Sequence, residues 1–134
     1  MAAETITRGK LASMTDVNPE TIRYYETQGL MPAPPRSGGG HRLYGQSHVK
    51  RLSFIRRCRE LGFNLDEIRG LLELVDGGAY TCSEVLDQTR DHIADIRSKI
   101  RDLRRMERSL LDMASQCSGK DVPDCPIVEK LWNA

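Results

Sequence analysis

The longest regular pattern of apolar and polar positions lies in the second half of the chain. Six apolar residues recur there at steps of four, three, three, four and three: Ile96, Ile100, Leu103, Met106, Leu110 and Met113. Val85 and Ile93 extend this stripe toward its amino-terminal end. Such a narrow stripe between charged positions is typical of a coiled coil. We therefore predict one long dimerisation helix, which starts at the capping sequence of residues 81–84 (TCSE) and ends near Gln116.

Four shorter helices are predicted before the long one. Residues 7–14 and 19–28 form two of them, and the tight turn between them predicts a helix-turn-helix. The other two cover about residues 46–61 and 64–75. Between the second and third helices, three prolines and three consecutive glycines predict an extended wing. A last short helical turn is predicted for residues 126–132.

The net charge of +1 conceals an asymmetry between the two halves of the chain. Residues 1–61 carry ten lysines and arginines against five acidic residues, whereas residues 62–134 carry ten against fourteen. A basic first half with an acidic second half suits a nucleic-acid-binding domain that is followed by a solvent-exposed helical part.

The basic half offers two groups of candidate DNA contacts. The second helix, in the place of a recognition helix, carries Thr21, Arg23 and Tyr24. The arginine can reach a phosphate or a guanine edge, and the hydroxyl groups can contact the backbone or bases. The wing carries the second group: Arg36, His41, Arg42 and Tyr44. We expect Leu43, which lies between Arg42 and Tyr44 in the sequence, to be part of the core.

Three cysteines lie at the two ends of the long helix. Cys82 opens it, and Cys117 and Cys125 bracket the loop that follows it. Cys82 and Cys117 are 35 positions apart, which corresponds to about 52 Å at 1.5 Å per residue, so one chain cannot bring them together. Antiparallel pairing of two such helices would place each Cys82 beside Cys117 and Cys125 of the other chain. The sequence thus predicts a homodimer with a three-thiolate metal site at each end.

The number of sulfurs indicates which metals suit such a site. Cys82 and Cys125 both stand at the start of a helix, where the thiolate that binds metal is favoured. Three sulfurs suit a soft ion that accepts trigonal coordination, above all Hg(II), followed by Pb(II) and Cd(II). Zn(II) prefers four ligands, and Asp121, Asp124 or a water would have to complete its site.

Three further side chains are given structural roles. We expect Cys58 to be a small buried hydrophobic residue in the third helix. We expect His48 on the surface of that helix and His92 on the flank of the coiled coil.

Several motifs resemble the MerR family of transcriptional regulators, and the resemblance covers essentially the whole chain. The motifs are TIRYYE at residues 21–26, GHRLY at residues 40–44, RLSFIRR at residues 51–57 and LGFNLDEI at residues 61–68. The resemblance implies a winged helix-turn-helix dimer on a pseudo-palindromic operator between promoter elements. It further implies that the inducer-bound dimer kinks and untwists the DNA for bacterial RNA polymerase, whereas the uninduced dimer keeps the promoter inactive.

The resemblance leaves the metal open. Mercury, zinc, cadmium and lead sensors are similar to this chain in having a cysteine at the position of Cys82, where copper sensors have serine. The spacing from Cys117 to Cys125 resembles that of copper sensors, and Ser118 stands where zinc sensors commonly have another cysteine. Because Cys82 adds a ligand whereas spacing only shapes the loop, we favour Hg(II). Cd(II), Pb(II), Zn(II) and Cu(I) stay as alternatives.

These patterns predict a mainly α fold with three parts. Residues 1–76 would form the winged helix-turn-helix DNA-binding domain with connecting helices. Residues 77–116 would form the antiparallel coiled-coil dimerisation helix, and residues 117–134 the metal-binding loop with a short terminal helix.

Other classes of protein fit the sequence less well. It has no nucleophile elbow, phosphate-binding loop or zinc-catalysis motif, which argues against an enzyme. A redox switch based on a Cys117–Cys125 disulfide is an alternative, but it leaves Cys82 without a role. We find no apolar run of about 18 residues and no signal-peptide core, so we expect a cytoplasmic protein that does not enter a membrane.

Overall fold

The computed structural model of the chain describes residues 5–34, 43–117, 119 and 125–133. The described residues form six helices: α1 (Arg8–Thr15), α2 (Pro19–Thr27), α3 (Gln46–Glu60), α4 (Leu65–Gly77), α5 (Cys82–Ser115) and α6 (Pro126–Trp132). The predicted mainly α fold is confirmed, and the predicted helix limits differ from these by at most two residues. The chain divides into two compact units, residues 1–88 and 89–134, and the division falls within α5.

Reciprocal capping boxes begin two of the helices. Asn64 Oδ1 accepts a hydrogen bond from the Glu67 N–H at 2.8 Å, and Glu67 Oε1 accepts one from the Asn64 N–H at 3.0 Å. Thr81 and Glu84 repeat this exchange at the start of α5, with distances of 3.2 and 3.0 Å. Each box satisfies amide groups that the first helical turn leaves without a partner, so both helices start where the sequence predicts.

The first unit contains the helix-turn-helix and its core. Helix α1 contacts both α2 and α3, and Asp16, with a φ of 56°, turns the chain sharply between α1 and α2. Apolar side chains from α1 to α4 and from the segments between them form one continuous core: Leu11, Ile22, Tyr25, Leu30, Met31, Tyr44, Leu52, Ile55, Cys58, Phe63, Ile68, Leu71 and Leu72. This burial fixes the orientation of α2.

Arg51 holds the segment after α2 against the end of α4. Its Nε donates to the Leu30 carbonyl oxygen at 2.6 Å, and its two terminal nitrogens donate to the Asp76 carboxylate at 2.7 and 3.0 Å. This bidentate pair lowers the pKa of Asp76. One arginine therefore joins three elements of the first unit.

The segment around the predicted wing is described only at its end. Residues 35–42 lie outside the described residues, so the wing itself is not confirmed. At its carboxy-terminal end, Ile6 and Tyr44 exchange two backbone hydrogen bonds of 2.8 Å in an isolated antiparallel bridge. This bridge joins the segment before α1 to the segment before α3.

The second unit contains the remainder of α5 together with α6. Lys130 Nζ on α6 lies 3.5 Å from Asp112 Oδ2 on α5. None of the described helices is both long enough and apolar enough to cross a membrane.

Candidate functional site

Helix α2 presents one polar face to solvent. Ile22 and Tyr25 are buried in the core, whereas Arg23 and Tyr24 are exposed, the tyrosine to 49%. Thr21 is half-buried beside them. This alternation follows from the 3.6-residue period of a helix that has one face in the core. The structure thus leaves Arg23 and Tyr24 accessible, and their contact with DNA stays a prediction.

Tyr44 does not belong to that accessible surface, which corrects the prediction that it contacts DNA. Its side chain is 0% exposed, whereas Leu43, which we expected in the core, is half-buried. The Tyr44 hydroxyl donates a hydrogen bond to Glu26 Oε1 on α2 and accepts one from Arg8 Nε at 3.1 Å. Buried polar groups need such partners, and these partners draw Tyr44 inward.

Arg8 and Glu26 complete a buried polar triad with Tyr44 that sequence reasoning missed. Arg8 Nη2 lies 3.5 Å from Glu26 Oε2, and the glutamate side chain is only 6% exposed. The hydrogen bond to Tyr44 raises the pKa of Arg8. The available signal was the position of Glu26, four residues after the buried Ile22 and therefore on the inward side of α2. The triad joins α1, α2 and the end of the predicted wing.

His48 lies against this triad, and the prediction that it is on the helix surface is wrong. Its Nδ1 accepts a hydrogen bond from the Gly45 N–H at 3.0 Å, and its ring meets the Tyr44 ring edge to face with 5.3 Å between centroids. Burial lowers the pKa of His48, although the nearby Glu26 carboxylate acts in the opposite direction.

The remaining predicted DNA contacts lie outside the described residues. These are the wing residues Arg36, His41 and Arg42. Their assignment as DNA contacts stays a prediction.

The three candidate metal ligands occupy the predicted places along the chain. Cys82 is the first residue of α5, Cys117 follows the end of α5, and Cys125 directly precedes α6. Cys82 and Cys117 are exposed and Cys125 is half-buried, and none of the three forms a disulfide within the described residues. Within the described part of one chain, no three side chains of the ligating types converge on a metal position.

The donor set nevertheless fits a thiophilic ion. Thiolate sulfur is the ligand that Hg(II), Pb(II), Cd(II) and Cu(I) favour, and the Cys82 and Cys117 side chains are exposed. Asp121 and Asp124, which could supply a fourth ligand, lie outside the described residues.

Two other side chains are buried rather than available for binding. Cys58 is 7% exposed and belongs to the core, as predicted, and burial raises the pKa of its thiol. His92 is 3% exposed, so the prediction of a polar flank position for it is wrong.

Helix α5 exposes the apolar stripe that the sequence predicts to be a dimer interface. Five large apolar side chains on or beside the stripe are between 40% and 62% exposed in the single chain: Ile93, Ile100, Leu103, Met106 and Leu110. Burying such a stripe against a second helix would be favourable, since each fully buried large apolar side chain contributes about 1.5–3 kcal/mol.

Comparison with known proteins defines the class to which this fold belongs. Residues 6–74 match the family described as MerR HTH family regulatory protein, and residues 49–113 match the family described as MerR, DNA binding. These matches show that the chain, with its helix-turn-helix followed by a long helix, is a DNA-binding transcription regulator and not an enzyme.

Individual relatives indicate which kind of transcription regulator this chain is. The chain is 49% identical over 124 residues to the mercuric resistance operon regulatory protein of Bacillus cereus, which covers 92% of this chain and 94% of that protein. It is 38% identical over 125 residues to heavy metal-dependent transcription regulator 2 of Rhizobium meliloti, covering 93% and 85% of the two chains. The chain therefore belongs to the MerR family and is a metal-responsive transcriptional regulator.

A solved structure supports the same conclusion. The transcription regulator PbrR691 from Ralstonia metallidurans CH34 in complex with lead(II) has a TM-score of 0.82 and 42% sequence identity to this chain, covering 94% of this chain and 98% of that one. The likeness extends over both compact units.

Proposed function

We propose that this regulator responds to Hg(II) and switches a metal-resistance operon between repression and activation. The observation that carries the proposal is the placement of three accessible cysteines: Cys82 at the start of α5, and Cys117 and Cys125 after its end. The identity of 49% to a mercuric resistance regulator supports Hg(II) as the inducer.

The metal site in this proposal requires a second copy of the chain. Cys82 and Cys117 stand at opposite ends of α5, and no metal position forms within the described residues of one chain. If two α5 helices pair antiparallel, Cys82 of one chain meets Cys117 and Cys125 of the other. Two identical three-thiolate sites then form, one at each end of the homodimer.

The charges along α5 support the antiparallel orientation. Residues 84–95 carry four acidic side chains and one arginine, whereas residues 96–109 carry six basic and two acidic side chains. A parallel pair would place like charges beside each other. An antiparallel pair places the acidic part of each helix beside the basic part of its partner, while the exposed apolar stripe is buried between them.

The choice of metal follows from the number of sulfurs. Hg(II) accepts three thiolates without a fourth ligand. Pb(II) and Cd(II) are the next candidates, and the lead(II) complex of PbrR691 shows that a protein similar to this one takes up such an ion. Zn(II) would need a fourth ligand, for which Asp121, Asp124 and water are candidates. Cu(I) is a further candidate, because it needs fewer sulfurs.

The DNA-binding part of the proposal rests on α2. Arg23 and Tyr24 are exposed on its outer face, and Thr21 lies beside them. We assign these residues, together with the wing residues Arg36, His41 and Arg42, to operator contacts. Metal binding at the ends of the dimer would then change the angle between two operator-bound units, distort the promoter and make it accessible to bacterial RNA polymerase.

In this proposal, residues 1–76 bind DNA, residues 77–116 form the dimer interface and residues 117–134 bind the metal. Metal and DNA therefore act on different parts of each chain, and α5 is the element that couples them.

Serine substitutions test the proposal. Cys82→Ser, Cys117→Ser and Cys125→Ser should each abolish Hg(II)-dependent transcription in a purified system while leaving operator binding within about twofold of the parent. Cys58→Ala is the matched control, because that thiol is buried in the core, and it should respond to Hg(II) normally. Normal activation of Cys82→Ser by Hg(II) would contradict the proposal. Activation by an oxidant that survives loss of Cys82 would instead indicate a Cys117–Cys125 redox switch.

A further inference from the structure

The outer face of α5 carries a run of arginines that the proposed metal and operator sites do not use. Five arginines, which we call the arginine stripe, are all exposed: Arg97, Arg101, Arg104, Arg105 and Arg108. At 100° per residue they fall within an arc of about 100°, and at 1.5 Å per residue they extend over about 16 Å. The stripe is thus one continuous basic surface on the second compact unit.

One arginine of the stripe has an ion-pair partner among the described residues. Arg105 pairs with Asp102. Arg97, Arg101, Arg104 and Arg108 form no ion pair with any residue that the structure describes. Four guanidinium groups without a direct ion pair at this spacing attract an anionic partner with several regularly placed charges rather than a single ion.

The residues between the arginines indicate what kind of partner fits. A shallow cleft of about 580 Å³ runs along the stripe, and six of the seven residues that line it are charged: Arg101, Asp102, Arg104, Arg105, Glu107 and Arg108, with Ser98 as the seventh. The core of a protein–protein interface is depleted in charged residues, whereas this cleft is lined almost entirely by them. Nucleic-acid interfaces are polar and strongly basic, and arginine binds phosphate through two parallel hydrogen bonds.

The stripe would also stay accessible in the dimer. Its centre is rotated by about 130° around α5 from the exposed apolar stripe, which faces the other helix in the proposed pair. Pairing through the apolar stripe therefore leaves the arginines free to bind.

We propose that the arginine stripe is a second nucleic-acid-binding surface, which contacts the phosphodiester backbone of duplex DNA without reading its sequence. One strand of B-DNA presents a phosphate every 3.4 Å along the axis, so 16 Å of stripe spans about five phosphates. The surface binds DNA beyond the operator contacts of α2 and keeps the regulator close to promoter DNA.

Charge-matched variants of the full chain test this proposal. The stripe variant carries Arg101→Gln, Arg104→Gln and Arg108→Gln. The control variant carries Arg90→Gln, Lys99→Gln and Lys130→Gln, which removes the same charge from positions of α5 and α6 outside the stripe. Glutamine preserves helix propensity in both variants. The probe is a random-sequence duplex of about 40 base pairs, and its binding is measured by fluorescence anisotropy over a range of salt concentrations.

The stripe variant should bind the duplex at least tenfold more weakly at low salt. Its slope of log affinity against log salt concentration should decrease by about 2–3, since each lost phosphate contact removes about 0.9. The control variant should change affinity by less than threefold. Equal losses in the two variants would overturn the proposal. It would equally be overturned if polyglutamate of matched charge bound the parent chain as tightly as the duplex, because the stripe would then be a surface for acidic proteins.

Discussion

Replacing Tyr44 by phenylalanine separates a structural role of this residue from the DNA contact that its sequence position suggests. The variant keeps the ring, which is fully buried, and removes only the hydroxyl group. That group donates to the Glu26 carboxylate and accepts from Arg8 Nε at 3.1 Å. A hydrogen bond to a charged group contributes about 1.5–3 kcal/mol. Because the Glu26 side chain is only 6% exposed, its carboxylate would lose a partner that water cannot easily replace.

We therefore expect Tyr44→Phe to lower the free energy of unfolding by about 2–3 kcal/mol. Urea denaturation followed by circular dichroism, at one fixed dimer concentration, measures this change. Tyr24→Phe is the matched control: Tyr24 is half exposed, and its variant should stay within about 0.5 kcal/mol of the parent. A Tyr44→Phe/Glu26→Gln double variant should lose less than the sum of its single changes, with a coupling of about 1 kcal/mol, since both remove the same contact.

The opposite pattern would refute this reasoning. If Tyr44→Phe left the unfolding free energy unchanged but weakened operator binding by tenfold or more under conditions where it is folded, the hydroxyl would contact DNA and not Glu26.

Three further predictions concern stability. Gly78 ends α4 with a φ of 73°, so Gly78→Ala should destabilise the chain by about 1–2 kcal/mol in urea denaturation. Gly77→Ala is the control and should not destabilise the chain, because its added Cβ would meet nothing within 4 Å. Arg51 lowers the pKa of Asp76 below its ordinary 3.8. The pair therefore stabilises the fold above pH 3.8 and loses this contribution as the pH falls below 3.8. In Asp76→Asn, the free energy of unfolding measured in acid should depend less on pH. Burial lowers the pKa of His48 below its ordinary 6.5, so the unfolded chain takes up a proton first and stability should fall as the pH drops below about 6.5; His48→Gln should remove this part of the pH dependence, and an unchanged profile would contradict it.

The helices could be predicted closely from the sequence because local signals define their ends. The capping residues Asn64 and Thr81 lie one position before α4 and α5, and the proline at the start of α6 marks its first turn. Such signals depend on residues within one helical turn, so they do not require knowledge of the tertiary structure.

The burial of single polar side chains could not be predicted in this way. Tyr44 is drawn into the core by Glu26, 18 positions before it, and by Arg8, 36 positions before it. His48 is buried against the same group. A short segment such as residues 43–45 has no periodicity that shows which side chain points inward, and the decisive partners are distant in sequence.

The cysteines show a different limit of sequence reasoning. Their positions at the ends of α5 follow directly from the helix limits, and the structure agrees with those positions. Which of them share a metal depends on how two chains pair, and the exposed apolar stripe of α5 is the feature on which this pairing rests.

The central claim, that each metal site combines Cys82 of one chain with Cys117 and Cys125 of the other, is tested most directly by mixed dimers. The Cys82→Ser and Cys117→Ser variants are prepared separately and as a purified heterodimer, and Hg(II) binding is measured by its thiolate charge-transfer absorbance under competition from a small thiol. Each variant homodimer lacks one ligand in both sites and should bind weakly. The heterodimer joins the intact Cys82 of one chain to the intact Cys117 and Cys125 of the other, so it should regain one tight Hg(II) per dimer. A heterodimer that binds no better than either homodimer would contradict a site shared between chains.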